Sequence, residues 1–227
     1  MSTTVMGQKI DMPLYCAPTA LQRLFHYEGE IGVAKAAEKF GTMFGISSLG
    51  TASIEEISNL VSTPKLFQLY VHKDQGLNDD LIDRCKHSNF EAMAVTVDTA
   101  VGGNRERDLR TGFTSPPRLT LASLFSFMAS PKWTINYLAK EKFSLPQLDS
   151  HLNEGTKVAI SVGDYFTNML DQELSWSKIE EIKKKSISKL NICWIGDSNN
   201  VLNSLIACLL YTSPSPRDRT RSRMPSS

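Results

Sequence analysis

The chain has 227 residues, of which 41% are hydrophobic and 22% charged, and its formal net charge is +1. This composition is typical of a soluble globular protein, and so small a net charge argues against a nucleic-acid binder that works by neutralising phosphates. The four cysteines are widely spaced and the apolar runs stay below the roughly 18 residues of a membrane span, so neither a disulfide framework, a metal site nor a spanning helix is expected.

Strands and helices are predicted to alternate through the first part of the chain. Apolar, β-branched runs predict four strands, at residues 12–20, 42–49, 64–71 and 93–97. Amphipathic spacing predicts helices after the first three strands, at about residues 28–40, from Ser53 onward, and at 78–87. Ser53 and Glu56 have the spacing of a capping box at the start of the second helix. Such a βα series favours an α/β fold with a parallel sheet.

Polar side chains occur at the carboxyl ends of these predicted strands. They are Thr19, Ser47, Gln68, Tyr70, Thr96 and Asp98. Because the carboxyl ends of parallel strands meet at one rim, we expect these side chains to surround a site. Taken alone, Asp98 also fits a turn cap, and the arginines that follow it also fit a solvated surface. Four polar strand ends together favour the functional interpretation.

Residues 114–172 are too many for an ordinary loop and are predicted to form an insertion after the fourth strand. Its apolar runs at 119–129 and 133–138 predict small helices that cover the mouth of a barrel, or a patch that contacts a membrane through 119–138. A strand is predicted at 158–162. A fourth crossover helix at 175–185 and a fifth strand at 190–195 are predicted to follow.

Several motifs in these segments are characteristic of one family. They are Ala17-Pro18-Thr19-Ala20, Ser47-Ser48 before Ser53-Ile54-Glu55-Glu56, Phe67-Gln68-Leu69-Tyr70-Val71, Thr96-Val97-Asp98 and Gly103-Asn104-Arg105-Glu106-Arg107-Asp108. With them the chain resembles the FMN-dependent α-hydroxy-acid dehydrogenases and oxidases, which include flavocytochrome b2 type L-lactate dehydrogenases and glycolate oxidase. The resemblance covers residues 5–185. It implies a partial TIM (β/α)8 barrel of about four to five βα units, within residues 1–190.

The resemblance also implies an FMN cofactor and assigns residues to it. Ala17, Pro18, Thr19 and Ala20 would pass along the flavin ring, and Ser47, Gln68 and Thr96 would hydrogen-bond its polar edge. The implied reaction is oxidation of a small L-2-hydroxy acid, with L-lactate as the expected substrate. The electron acceptor stays open between O₂, a cytochrome and a quinone, and a homo-oligomer, a tetramer, is implied.

Three residues are assigned to the substrate and to catalysis by the same resemblance. Tyr70 would contact the substrate and take part in catalysis. Asp98 would hold and charge-stabilise a catalytic histidine. Arg105 would help to bind the substrate carboxylate.

Some parts of the family pattern do not occur in this sequence. The predicted fifth strand carries no lysine between residues 191 and 195, and none of the four histidines fits the catalytic base. These histidines, His26, His72, His87 and His151, are expected to have packing or surface roles. A further substrate-binding tyrosine is expected before Met1, and the base and the phosphate-binding loops belong to the second half of the barrel. A truncated, catalytically incompetent barrel is therefore the alternative prediction.

The last part of the chain departs from the pattern altogether. Residues 191–207 are divergent, and residues 208–227 carry four arginines against one acid. The stretch from Cys208 to Asp218 resembles the translation of a sequencing-library adapter, so we predict an artefactual or disordered tail, with a genuine basic arm as the alternative. An intracellular location is expected, whether cytoplasmic, mitochondrial or at a membrane surface.

Overall fold

The computed structural model describes residues 2–97, 110, 121–139, 144–149, 168–186 and 191–193. All of them belong to one compact unit, Met1–Trp194, while the other unit, Ile195–Ser227, lies outside the described residues. The predicted strand at 158–162 and the predicted tail at 208–227 also lie outside them. Those two expectations stay predictions.

The described strands form two sheets. In chain order they are β1 (Thr3–Val5), β2 (Gln8–Ile10), β3 (Phe44–Ser47), β4 (Lys65–Tyr70), β5 (Ala92–Thr96) and β6 (Asn191–Cys193). β1 and β2 pair as an antiparallel hairpin, and the other four form a parallel sheet in the order β3-β4-β5-β6. Parallel strands that follow one another in chain order are the arrangement of an α/β barrel. The predicted partial barrel is confirmed, and the described strands do not close it.

Helices alternate with these strands. They are α1 (Gln22–Phe25), α2 (Gly29–Lys39), α3 (Ile54–Leu60), α4 (Gln75–His87), α5 (Leu121–Ala129), α6 (Pro131–Ala139) and α7 (Trp176–Ser186). The capping box is present at α3, where Ser53 Oγ accepts the Glu56 N–H at 2.9 Å. Asp74 caps α4 by accepting the Gly76 N–H at 2.8 Å, so this helix begins three residues earlier than the apolar spacing predicts.

Each face of the parallel sheet has its own apolar cluster. On the outer face, strand side chains such as Phe67 and Leu69 pack with residues of α2, α3, α4 and α7. On the inner face, Leu66, Ala92 and Ala94 pack with Ile10 of the hairpin. Because side chains alternate along a strand, Gln68, Tyr70 and Thr96 lie on this same face, nearer the carboxyl ends of β4 and β5. The hairpin therefore covers the amino-terminal end of the inner face and leaves the carboxyl end to the polar residues.

The predicted first strand, residues 12–20, is not a regular strand, so this expectation is wrong in its detail. Only Cys16 pairs with a strand residue, Phe44, in a parallel bridge. Pro13 and Pro18 have no N–H to donate to a ladder, which limits pairing on either side of Cys16. The segment nevertheless runs beside β3, since Cys16 N–H donates to the Met43 carbonyl at 2.9 Å and Leu21 N–H to the Leu49 carbonyl at 3.0 Å.

Within the insertion, the two predicted small helices are confirmed as α5 and α6. Trp133 stacks between Phe127 and Tyr137, with ring centroids 5.4 and 4.9 Å away. Its indole N–H donates to the Leu24 carbonyl of α1 at 3.1 Å, which fastens the helix pair to the body. None of the helices in the described ranges is long and apolar enough to cross a bilayer.

Gly45 permits the close approach of the residue 12–20 segment to β3. Its N–H donates to the Cys16 carbonyl at 2.8 Å. A Cβ at this position would lie 2.8 Å from both Cδ and N of Pro18 and 2.9 Å from the Cys16 oxygen. These are atoms of a ring and of the main chain, which cannot rotate away, so a side chain here would push the segment off the sheet.

We therefore expect Gly45→Ala to lower the free energy of unfolding by about 1–3 kcal/mol, the usual range for overpacking. Gly32→Ala in α2 is the matched control, because the nearest atom to its Cβ is the flexible end of Glu28 at 3.0 Å. That control is expected to stabilise the helix by about 0.5–1 kcal/mol. Chemical denaturation of both variants measures the difference, and equal stabilities would contradict the tight contact at Gly45.

Candidate functional site

Four polar residues stand together at the carboxyl ends of β3, β4 and β5. Ser47 is directly opposite Gln68 in the register of β3 and β4, and Tyr70 is opposite Thr96 in that of β4 and β5. Alternation puts all four on the inner face, above the apolar residues that contact the hairpin. The predicted convergence of these strand ends is confirmed, while the role of each residue stays a prediction.

Gln68 and Thr96 form the centre of this polar group. The Gln68 amide N–H donates to Thr96 Oγ1 at 3.1 Å, and both side chains are half-buried. The bond leaves the amide oxygen of Gln68 and the hydroxyl hydrogen of Thr96 for another partner. A heterocycle that carries both donors and acceptors on one edge, as a flavin does, fits such a pair.

Ser47 and Tyr70 flank this pair in different surroundings. Ser47 is only 1% exposed, and its oxygen accepts the Leu49 N–H at 3.2 Å. Tyr70 is half-buried and also packs against the outer core cluster at the end of β4. The Ser47 hydroxyl therefore stabilises the turn after β3, whereas Tyr70 lies at the end of β4, partly exposed and in contact with the outer core cluster.

Ser48 is a residue of the site that the sequence interpretation did not assign. Its hydroxyl donates to the Gln68 carbonyl at 2.8 Å and accepts the Tyr70 N–H at 3.2 Å. The Ser48 backbone N–H also donates to the Gln68 carbonyl at 3.0 Å, so the hydroxyl adds to this bond, provides an acceptor for Tyr70 and fixes the backbone on both sides of Leu69. The signal in the sequence is a second hydroxyl directly after Ser47, because a serine at a strand end is well placed to bond backbone groups.

The segment 17–20 runs past the end of β3 between two anchored residues, Cys16 and Leu21. Ala17 and Thr19 are exposed, and Pro18 and Ala20 are half-buried. An open cavity of about 410 Å³ borders this segment and includes Gln22 and residues of α1 and α2, but none of the four polar strand-end residues. This cavity therefore does not join the segment 17–20 to Ser47, Gln68 and Thr96, and the common flavin site of these residues stays a prediction.

Neither Asp98 nor Arg105 falls among the described residues, so their predicted roles stay predictions. Burial raises the pKa of the thiol of Cys16, the residue before the segment 17–20, which keeps this thiol protonated at neutral pH and unsuited to act as a nucleophile. Within the described part of the chain, no group of three His, Cys, Asp or Glu side chains is placed to bind a metal ion.

The histidines have the packing and surface roles that were expected, where the structure describes them. His26 and His87 are exposed, and His151 lies outside the described residues. His72 is fully buried beyond the end of β4, where its N–H donates to Asn78 Oδ1 at 2.8 Å and its carbonyl accepts from Asn78 Nδ2 at 2.8 Å. A bridge to Leu170 makes His72 an anchor for the returning chain.

Comparison with known proteins gives consistent results in sequence and structure. The profile of the family described as FMN-dependent dehydrogenase matches residues 1–195. Glycolate oxidase 1 of Zea mays is 35% identical over 180 residues, which cover 79% of this chain and 43% of that protein. A putative L-lactate dehydrogenase of Mycobacterium tuberculosis is 33% identical over 227 residues, 97% of this chain and 53% of that protein.

A solved structure extends the agreement to the fold. The monotopic membrane protein (S)-mandelate dehydrogenase superposes with a TM-score of 0.74 at 23% identity, over 85% of this chain and 50% of that one. The chain spans about half the length of the curated relatives that it matches. FMN is the cofactor named by the matching family, and the half-buried amide and hydroxyl groups at the strand ends suit its ring. The chain belongs to the FMN-dependent dehydrogenase family.

Proposed function

We propose that the protein oxidises an L-2-hydroxy acid to the 2-oxo acid with FMN as cofactor, and that L-lactate is its substrate. The observation that carries this proposal is the hydrogen-bonded pair of Gln68 and Thr96 on the inner rim of a parallel sheet, in a chain of this family. The choice of lactate is supported by the relative from Mycobacterium tuberculosis, which matches nearly the whole chain and is named a putative L-lactate dehydrogenase.

In this proposal the residues of the chain bind FMN and orient the substrate. Gln68 and Thr96 hydrogen-bond the polar edge of the flavin, and the segment 17–20 lies along its ring. Because Tyr70 is two residues beyond Gln68 on the same face, its phenol is placed to contact the hydroxyl or carboxylate of a substrate stacked on that ring. FMN, when bound, accepts the two electrons that leave the hydroxy acid.

Two residues outside the described ranges complete the proposal. Asp98 follows Thr96 by two positions, and a carboxylate there would orient and charge-stabilise a histidine base. Arg105 would pair with the substrate carboxylate, for which a guanidinium has the matching fork of donors. Both assignments come from the family resemblance.

Gln68→Met tests the cofactor part of the proposal. This change removes the amide and keeps a similar volume, so the dissociation constant for FMN should rise about five- to tenfold, the worth of one hydrogen bond. Asn59→Leu, at an exposed amide on α3, is the matched control and should leave the constant unchanged. Quenching of FMN fluorescence in the complete gene product measures both.

Anaerobic mixing of the FMN-bound protein with L-lactate, glycolate and (S)-mandelate tests the reaction. We expect L-lactate to bleach the flavin absorbance fastest. If glycolate or (S)-mandelate bleaches the flavin faster, lactate is not the preferred substrate. If none of the three acids bleaches it, the proposed chemistry is wrong. The same measurement on the 227-residue chain by itself tests the alternative of an incompetent barrel.

We infer a second function for the helix pair α5 and α6, contact with a membrane surface. Several of its large apolar side chains are exposed, with Phe125 at 70%, Met128 at 75% and Leu138 at 76%. Exposed apolar groups on neighbouring helices are typical of interaction surfaces. A structural neighbour is described as a monotopic membrane protein, which supports a membrane over a lid on the barrel mouth.

Co-sedimentation with phosphatidylcholine vesicles, with and without phosphatidylglycerol, tests this contact. We expect binding of the complete gene product to vesicles to fall at least tenfold when Phe125, Met128 and Leu138 are all changed to Ser. Complete burial of one such side chain contributes about 1.5–3 kcal/mol, and each substitution removes that contribution to binding. Phe40→Ser, at another exposed aromatic, is the control. Unchanged binding of the triple variant, or no binding of the unmodified protein, would reject membrane contact and favour the lid.

A further inference from the structure

Glu30 is a fully buried carboxylate in the first turn of α2. A buried carboxylate is costly unless hydrogen bonds satisfy its oxygens. Here its oxygens accept from the backbone N–H of Thr51 at 2.8 Å, from the Thr51 hydroxyl, and from the backbone N–H of Gln22 at 3.4 Å. None of the ion pairs between described residues includes Glu30. The carboxylate is thus bound by backbone N–H groups and a hydroxyl instead of by a cation.

Glu30 joins residues 17–23, which include the start of α1, to residues 48–51 after β3; these two segments, here called the two loops, carry or adjoin the proposed flavin contacts. Gln22 comes directly after the segment 17–20 and Leu21, and Thr51 follows Ser47 by four positions. The loops also contact each other, because the Leu21 N–H donates to the Leu49 carbonyl at 3.0 Å and the Arg23 N–H to Thr51 Oγ1 at 3.3 Å. The Glu30 side chain bonds to both of them.

The start of α2 brings this carboxylate between the loops. Gly29, directly before Glu30, has a φ of +50°, a conformation that L side chains rarely adopt. A Cβ there would lie 2.6 Å from Cγ of Arg23 and 3.3 Å from Oγ1 of Thr51. The helix therefore begins in direct contact with both loops. If the chain before Glu30 were longer or entered the helix in another direction, Glu30 would lie away from its donors.

We propose that Glu30 is a positioning residue for FMN, which sets the distance between the segment 17–20 and the loop after β3. This inference rests on the proposed function, since it concerns residues that would contact the flavin ring and its polar edge. It acts through hydrogen bonds to Gln22 and Thr51 and not through contact with the cofactor. Loss of these bonds should loosen the two loops relative to each other and weaken FMN binding.

Glu38, at the other end of α2, offers a control with similar donors at an exposed position. It accepts the Ser62 backbone N–H at 2.7 Å and the Ser62 hydroxyl at 2.9 Å, the same kinds of donor that Glu30 has in Thr51. Those hydrogen bonds lower the pKa of Glu38, the backbone bond most. Ser62 precedes β4, so it lies at the amino-terminal side of the sheet, away from the polar strand ends.

Four variants of the complete gene product separate positioning from general stability. Glu30→Ala should raise the FMN dissociation constant about tenfold or more, because buried donors lose their acceptor. Thr51→Val, which removes only the hydroxyl, should raise it about threefold. Glu30→Gln should stay within about twofold of the unmodified protein, since its amide oxygen accepts both N–H groups and its NH₂ can donate to the Thr51 hydroxyl. Glu38→Ala should lower the melting temperature and leave the constant within about twofold.

The visible spectrum of the bound flavin is the second readout. We expect its vibronic structure to change in Glu30→Ala and to be restored in Glu30→Gln. An unmodified protein that does not bind FMN refutes the proposed function itself. When it does bind, normal FMN affinity in Glu30→Ala, or in Thr51→Val where the Ala variant does not fold, overturns the inference. Equal weakening by Glu38→Ala, or failure of Glu30→Gln to restore affinity, overturns it too.

Discussion

The register of β3, β4 and β5 is the constraint on which the site depends. Pairing of Ser47 with Gln68 and of Tyr70 with Thr96 puts polar groups of three strands on one face, at two successive levels near the carboxyl ends. A slip of one residue would turn Gln68 toward the helices and bring an apolar side chain to the rim. The outer face prevents this slip, because Phe67 and Leu69 are fully buried against the helices and could not be exchanged for an amide at low cost.

Fixing the strands does not by itself fix the loops that follow them. The loop after β3 is held by Ser48 toward β4 and by Glu30 toward the segment 17–20. Gly45 sets how near that segment comes to the sheet. These contacts are mainly to backbone atoms, so they restrain the path of the chain and do not use the side chains of Gln68 and Thr96.

Sequence patterns predicted the features that repeat along the chain. Apart from residues 12–20, the strands predicted within the described residues follow from local spacing, as do the capping box at Ser53 and the polar strand ends, and the matching helices and strands lie close to the predicted ranges. The β1–β2 hairpin was missed because its strands have three residues each and its turn places the non-glycine Met6 at a φ of 49°. Glu30 was missed because its partners lie in two loops whose meeting depends on the tertiary fold.

The distribution of polar groups on the inner face separates stability from function. An unpaired polar group that is buried costs about 1–3 kcal/mol, so a sheet selected for stability alone would continue the apolar pattern of Leu66 and Ala92 to its ends. Instead the pattern changes at Gln68, Tyr70 and Thr96, all of which are half-buried. One hydrogen bond joins the Gln68 amide N–H to the Thr96 hydroxyl oxygen. The Gln68 amide oxygen and the Thr96 hydroxyl hydrogen can each bond another group. Such groups can bond water or a ligand, which an apolar rim could not do.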